Sequence, residues 1–295
     1  MKIGIGGPGL MGSQIGVEYA LAGHDVVFLV RSLEQGRNRV GTAFDLAASL
    51  SHWSDDAVAA GRERVAFVES VEEFDPDTEL FLESIIEEPQ AKIDLLKAAG
   101  KQMPQAILAS NTSSLSIGRL GGWAGSSRRT IGTHYWNPPL LMPLVEVVAG
   151  PETDPSIVER VVTLLTDLGK RPVNVQRDVD GFVWNRLQMA LLREAVWIVE
   201  QGVASPDVVD EIVRDGLARR WRYTGPFATA ALGGPQTFSR VANNLWPRLS
   251  AAHHVNDLGK WLLDDRELLA QMRQARDEGL IEELRREWER DDSES

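Results

Sequence analysis

Cysteine is absent from the 295-residue sequence, which excludes a disulfide framework, a thiolate metal site and a thiol nucleophile. Positive charge is short as well: 31 Lys and Arg stand against 43 Asp and Glu, a formal net charge of −12. That balance argues against a nucleic-acid backbone or an anionic membrane as main partner. No stretch approaches the roughly 18 apolar residues of a membrane span, and no basic segment at the N-terminus leads into a signal-type apolar run. These absences point to a soluble, cytoplasmic protein with no metal, membrane or nucleic-acid partner. What is plentiful is core material, since 43% of residues are hydrophobic. The length suits one large domain or two ordinary ones.

The first thirty residues read as strand, glycine turn, helix, strand. Met1–Ile5 is apolar, Ser13–Ala22 has helical spacing closed by Gly23, and Asp25–Val30 is almost wholly apolar, as a parallel strand covered on both faces tends to be. Further apolar runs at Val65–Val68, Leu80–Ile86, Ala106–Ala109, Thr130–His134 and Val145–Ala149 alternate with helix-like stretches. That alternation predicts an α/β fold: a doubly wound parallel sheet. A helix over Ile157–Leu168 and one more strand, Arg171–Val175, follow. From Gly181 the pattern is helical, over Phe182–Gln201, Pro206–Ala218, Gln236–Leu249, Asn256–Trp261 and Arg266–Glu289. The expected organisation is a sheet domain over 1–180 and an all-α domain over 181–295, whose last helix is charged and frays at its end.

Gly7-Pro8-Gly9-Leu10-Met11-Gly12 matches GxGxxG between a strand and a helix. The first glycine permits a tight turn, the second lets a pyrophosphate approach the backbone, and the third lets the helix pack on the sheet. Dinucleotide binding follows, with the phosphates facing helix-start amides. The partner of the adenosine ribose is less ordinary. An NAD site usually has a carboxylate ending the second strand; here Val30 holds that place, followed by Arg31 and Ser32. An arginine and a hydroxyl can hold a 2′-phosphate, while Glu34 offers a carboxylate to the ribose instead. The cofactor is therefore NAD or NADP.

Of the five histidines, His134 differs because it ends a predicted strand, where the ligand crevice of an open α/β sheet lies. An imidazole there can act as a general base at neutral pH. Glu146 sits in the otherwise apolar Leu144–Val148 and is costly to bury unless paired. The separation, 146 − 134 = 12 residues, leaves room for a turn and a return strand. Either the two side chains meet, or Glu146 faces solvent on an edge strand. Ser110–Ser114, at another strand end, and Asn185, early in a helix, are polar segments that serve equally as turns and caps.

Together, GPGLMG, SNTSS, HYWNPP, MPLVEVV and DGFVWNRL, in order and suitably spaced, resemble the 3-hydroxyacyl-CoA dehydrogenase superfamily from Gly7 to about Leu249. The resemblance implies a Rossmann-like domain followed by a helical domain that makes a homodimer. It implies His134 as general base, Glu146 as its orienting partner, and Ser113 and Asn185 as hydrogen-bonding groups around the substrate oxygen. It also implies Glu87 and Lys92 on the cofactor side and Asn137 on the substrate side. Asp180-Gly181-Phe182 and the segment from Gly216 to Pro226 look more like the L-gulonate 3-dehydrogenase (lambda-crystallin) branch, in which Arg220 matches an arginine suited to a substrate carboxylate. The expected activity is NAD(P)-dependent interconversion of a 3-hydroxy acid and its 3-keto form, at a CH–OH group. Its rivals are the same chemistry on an acyl-CoA thioester and a catalytically weak dinucleotide-binding crystallin-like protein. Trp136, Trp184 and Trp221 beside these motifs suit an aromatic pocket or simple packing.

Overall fold

The computed structural model describes residues 1–255, 258–260, 262 and 265–294. They form two compact units, Met1–Val183 with Gln271–Ser295, and Trp184–Ala270.

In the first unit, β1 (Lys2–Gly6), β2 (Asp25–Leu29), β3 (Val65–Val68), β4 (Leu80–Glu83), β5 (Ile107–Ser110), β6 (Thr130–Tyr135), β7 (Leu144–Ala149) and β8 (Arg171–Val175) make one sheet, ordered β3-β2-β1-β4-β5-β6-β7-β8. All neighbours are parallel except β6 and β7. The chain runs outward from β1 to β3 and returns to pair β4 on the other side of β1, so the switch point, and with it the ligand crevice, lies at the carboxyl ends of β1 and β4. Helices α1 (Leu10–Leu21), α2 (Leu33–Ser49), α3 (Asp55–Glu63), α4 (Pro89–Gln102), α5 (Ile117–Ala124) and α6 (Pro155–Asp167) connect the strands.

Every residue of β4, β5 and β6 is buried, which is why apolar residues there do not simply alternate with exposed polar ones, and the polar residues they carry, such as Glu83, Ser110 and His134, are buried as well. Successive strand residues still point to opposite faces. Leu80, Leu82, Ile107 and Ala109 join the core with Ile15 and Val17 of α1, while Phe81 and Leu108 join Leu96 of α4 and Leu120 of α5.

The second unit is helical: α7 (Trp184–Glu200), α8 (Pro206–Glu211), α9 (Arg219–Trp221), α10 (Pro226–Leu232), α11 (Pro235–Leu245) and the start of α12 (Arg266–Glu294). The expected helix Pro206–Ala218 widens into a π-helical turn over Ile212–Ala218. The one expected over Gln236–Leu249 ends at Leu245, because Pro247 lacks the amide a further turn needs and leaves a 3-10 turn, Trp246–Arg248. Asn256, Asp257 and Trp261 of the expected Asn256–Trp261 helix lie outside the described residues, and Leu258–Lys260 is a 3-10 turn. Among the described residues no helix is long and apolar enough to cross a membrane.

This grouping differs from a 1–180/181–295 division in its last segment. From Gln271 onward α12 belongs to the sheet unit. Leu284, 7% exposed, enters the core, Arg285 donates to the Ser49 carbonyl at 2.8 Å, and Trp288 stacks on His52 at 4.0 Å. A few apolar residues anchor this charged helix to the sheet unit.

Beneath the crevice, Glu18 of α1 pairs with Lys170, whose Nζ also donates to the Pro139 carbonyl at 2.7 Å and that of Met142 at 3.2 Å. Burial pushes the Glu18 carboxyl up from 4.5 to about 7, although Lys170 pulls it back, and its Oε2 is buried with no hydrogen-bond partner among the described residues. The folded protein therefore holds a proton that the unfolded chain releases near pH 4.5. Stability from this group is full below that pH, falls as pH rises to about 7, and is level above, a loss on the order of 3 kcal/mol. Glu18→Gln removes the titration. The wild-type melting temperature minus that of the variant is expected to fall by several degrees between pH 5 and pH 8, and parallel melting profiles would contradict the assignment.

Candidate active site

The phosphate turn is built by backbone geometry. Gly7 has φ +92°, a conformation that favours glycine, and its carbonyl accepts from the Gly9 N–H at 2.8 Å. A Cβ on Gly12 would lie 2.2 Å from that carbonyl, so only glycine lets α1 start this close to β1. A Cβ on Gly9 would meet nothing within 4 Å; that side of the turn is open. Helix α1 has no side-chain cap and no acidic residue in its first turn, leaving its N-terminal amides to an anion. These features fit a dinucleotide pyrophosphate. Leu10 is exposed and Met11 partly buried.

At the next strand end, Val30 is 4% exposed and closes against Gly36 of α2. Arg31 is exposed beside it. The Ser32 hydroxyl caps α2 by accepting from the Gln35 N–H at 3.4 Å.

The antiparallel register of β6 and β7 sets His134 directly opposite Glu146, so their side chains leave the same face of the sheet as near neighbours. His134 Nδ1 lies 2.7 Å from Glu146 Oε2, with the two side chains 5% and 2% exposed. Only a protonated Nδ1 can donate to the carboxylate, which leaves Nε2 as the basic nitrogen. The other carboxylate oxygen accepts from the Val183 N–H at 3.0 Å. Delivering that amide requires a left-handed bend, with φ of +77° at Gly181 and +46° at Phe182. Phe182 is fully buried against Ile117 and Val148, its ring 5.8 Å from the imidazole. Asp178 secures the approach by accepting from Ser116 Oγ at 2.7 Å and the Gly118 N–H at 2.8 Å. The bend at Gly181-Phe182 thus completes the His–Glu pair through the Val183 amide.

Ser113 lies in the loop after β5, and its N–H donates to Glu87 Oε1 at 2.8 Å. Lys92 is 1% exposed and pairs with Glu83 at 2.6 Å and Glu87 at 3.2 Å. Asn137 is exposed in the turn after β6. Asn185 at the start of α7 and Arg220 in α9 belong to the second unit, where Arg219, Arg220 and Arg222 are exposed.

Sequence reasoning missed two residues that frame the crevice. Asn111 donates to Ser84 Oγ at 3.3 Å and accepts from the Tyr135 N–H at 2.9 Å, tying the β5 loop to the residue after His134. Glu83 is a fully buried carboxylate ending β4. The signal for Glu83, an acid inside the apolar run Leu80–Ile86, is the one that marks Glu146.

Residues 2–179 match the family model for the 3-hydroxyacyl-CoA dehydrogenase NAD binding domain, and residues 181–276 match that for the 3-hydroxyacyl-CoA dehydrogenase C-terminal domain. An L-carnitine dehydrogenase of a Pseudomonas species is 38% identical over 179 residues, 60% of this chain but only 56% of that enzyme. The 5-formyl-3-hydroxy-2-methylpyridine 4-carboxylate 5-dehydrogenase of Mesorhizobium japonicum is 32% identical over 253 residues, 84% of this chain and 81% of its own length. A solved structure of an enzyme with that activity, described as an NAD+-dependent dismutase, superposes with a TM-score of 0.86 at 27% identity, covering 96% of this chain and 97% of the other. With both family models matched in order over nearly the whole chain, the protein belongs to the 3-hydroxyacyl-CoA dehydrogenase family.

Proposed function

We propose that the protein is an NAD(P)-dependent dehydrogenase that interconverts a small 3-hydroxy acid and its 3-keto form. The observation that carries this reading is the buried 2.7 Å contact between His134 and Glu146 at the carboxyl end of β6, in a sheet whose glycine turn suits a dinucleotide. Bound nicotinamide supplies the hydride acceptor. His134 Nε2 takes the proton of the substrate hydroxyl as hydride leaves the carbon bearing that hydroxyl, and Glu146 stabilises the imidazolium that results. In reduction the same imidazolium returns the proton to the carbonyl oxygen. Ser113 holds that oxygen by hydrogen bonding. Asn185 and Arg220 enter the proposal on their chemistry: an amide suited to the substrate oxygen, and a guanidinium that grips a carboxylate with two parallel hydrogen bonds. Asn137 belongs with the substrate on the strength of its place after β6. The carboxylate in the name of one relative, the pyridine 4-carboxylate 5-dehydrogenase, supports a free acid as substrate.

For the cofactor, buried Val30 offers no carboxylate to the ribose, and exposed Arg31 presents a cation that suits a 2′-phosphate. A homodimer is part of the same proposal. No residue of α7 is buried, and Leu187, Phe227, Leu232 and Trp246 of the second unit are 60%, 91%, 79% and 71% exposed, an apolar surface that a second copy would cover.

The test is a panel of free 3-hydroxy acids and their CoA thioesters, run with NAD and with NADP on protein of measured native mass and read at the absorbance of the reduced nicotinamide. Turnover of free acids, NADP at least as good as NAD, and twice the chain mass are the expected results. Turnover confined to thioesters transfers the substrate to the acyl-CoA class, and no reduction of either cofactor by any member overturns the reading.

A further inference from the structure

The loop 136–143 joins the strand of His134 to that of Glu146. Pro139, Leu140 and Leu141 within it are buried, so its backbone groups need partners inside the protein. Lys170 Nζ donates to the Pro139 carbonyl at 2.7 Å and the Met142 carbonyl at 3.2 Å, and the Leu140 N–H donates to Gln14 Oε1 at 3.2 Å. Glu18, one turn along α1 from Gln14, supplies the counter-charge of Lys170. The backbone of Lys170 is itself fixed. Its N–H donates to the Leu165 carbonyl at 3.0 Å, and the Arg171 N–H donates to the Pro143 carbonyl at 2.8 Å as β8 pairs with β7. The loop is therefore slung between α1 and the start of β8.

The pair Tyr135–Val145 is the last of β6 and β7 before this loop, and His134–Glu146 stands next to it. The end of a strand ladder opens locally unless the chain beyond it is held. Tyr135 leaves the opposite face of β6 from His134 and joins the core with Ile15 and Val17 of α1. There its ring lies 6.0 Å from Lys170 Nζ, and its hydroxyl donates to that of Tyr19 at 3.3 Å. We infer that Lys170, with Glu18 and Gln14 of α1, positions the His134–Glu146 pair: by holding the loop and Tyr135 behind the sheet, these residues keep the ladder closed at the pair in front. They act through the loop and Tyr135. A cluster that only stabilised the sheet unit would lower its melting temperature when removed and leave the pair intact in the folded protein. That His134 is the base rests on the proposed function; the hold on the ladder end does not.

Three variants of the full chain test this. Lys170→Met/Glu18→Gln removes the ammonium without leaving a buried carboxylate unpaired, Glu18→Gln leaves Lys170 donating to the loop, and Gln14→Leu removes only the acceptor of Leu140. The readouts are amide hydrogen exchange at Tyr135, Leu141, Met142 and Val145, the low-field NMR signal of the proton between His134 and Glu146, and kcat and KM on the best panel substrate. That signal is assigned by its loss in His134→Ala. In Lys170→Met/Glu18→Gln, exchange at these amides is expected to quicken by about 10–100-fold, as when hydrogen bonds to a charged group are lost. The His134 signal broadens or disappears. Turnover falls by about tenfold or more while KM stays within about threefold, because placement of the base is felt in the reacting state. Glu18→Gln keeps the signal and most of the turnover. An unchanged His134 signal in Lys170→Met/Glu18→Gln overturns the inference, whatever its melting temperature, and so does unchanged exchange at the ladder end. Neither readout needs turnover, so both stay decisive if no panel member is a substrate. If that variant does not fold, Gln14→Leu decides alone: faster exchange at Tyr135 with a weakened signal supports the inference, and wild-type values of both overturn it.

Discussion

His134→Ala is expected to lower turnover on the panel substrate by about 10²–10⁴-fold while dinucleotide affinity stays within about twofold of wild type. The glycine turn that suits the cofactor is built from β1 and α1, and the imidazole is held by β6 and β7, so the two functions separate. The loss is expected in the pH range where the imidazole acts as a base, because removing it leaves solvent to take the hydroxyl proton. Glu146→Gln checks the partner: the amide can still hold the ring but no longer supplies charge to the imidazolium, so turnover should drop while the fold survives. Wild-type kcat in His134→Ala would remove the base from the mechanism.

The largest effect on stability is expected from Lys92→Met. It leaves Glu83, which has no exposed surface, as a buried carboxylate without its cation, and weakens the hold on Glu87. Removing one partner of a buried pair costs about 3–5 kcal/mol, which for a unit of this size lowers the melting temperature by roughly 6–20 °C. Adding Glu83→Gln to Lys92→Met should restore a good part of it, since a neutral amide costs far less to bury than a carboxylate. Thermal unfolding of both variants against wild type measures this. A shift of less than about 2 °C in Lys92→Met would mean that water or a rearranged neighbour neutralises Glu83.

Much of the crevice was legible from local pattern. Unbroken apolar runs marked strands covered on both faces, and the glycines at 7, 9 and 12 marked the turn, because each requirement falls on consecutive residues. His134 and Glu146 stood out for a related reason, a polar group where an apolar strand or its end is expected. Glu83 carried the same mark and went unread, having no histidine nearby in sequence to suggest a partner. The π-helical widening after Glu211 and the attachment of α12 to the sheet unit were not legible either. The second depends on packing between segments far apart in the chain, as the seating of Arg285 on the Ser49 carbonyl 236 residues away shows.

Periodicity and turn chemistry are local, so the amino-acid order by itself determined the run of strands and helices, the glycine turn and the short list of ionisable groups worth watching. Which of those groups meet was decided only in three dimensions. The antiparallel return of β7 aligned residue 146 with 134, and a left-handed bend brought the Val183 amide to the second carboxylate oxygen. The packing of α4 on β4 delivered Lys92 to two acids at once. A one-residue slip in strand register would turn the imidazole or its carboxylate to the other face of the sheet, and nothing in the composition of either strand records that choice.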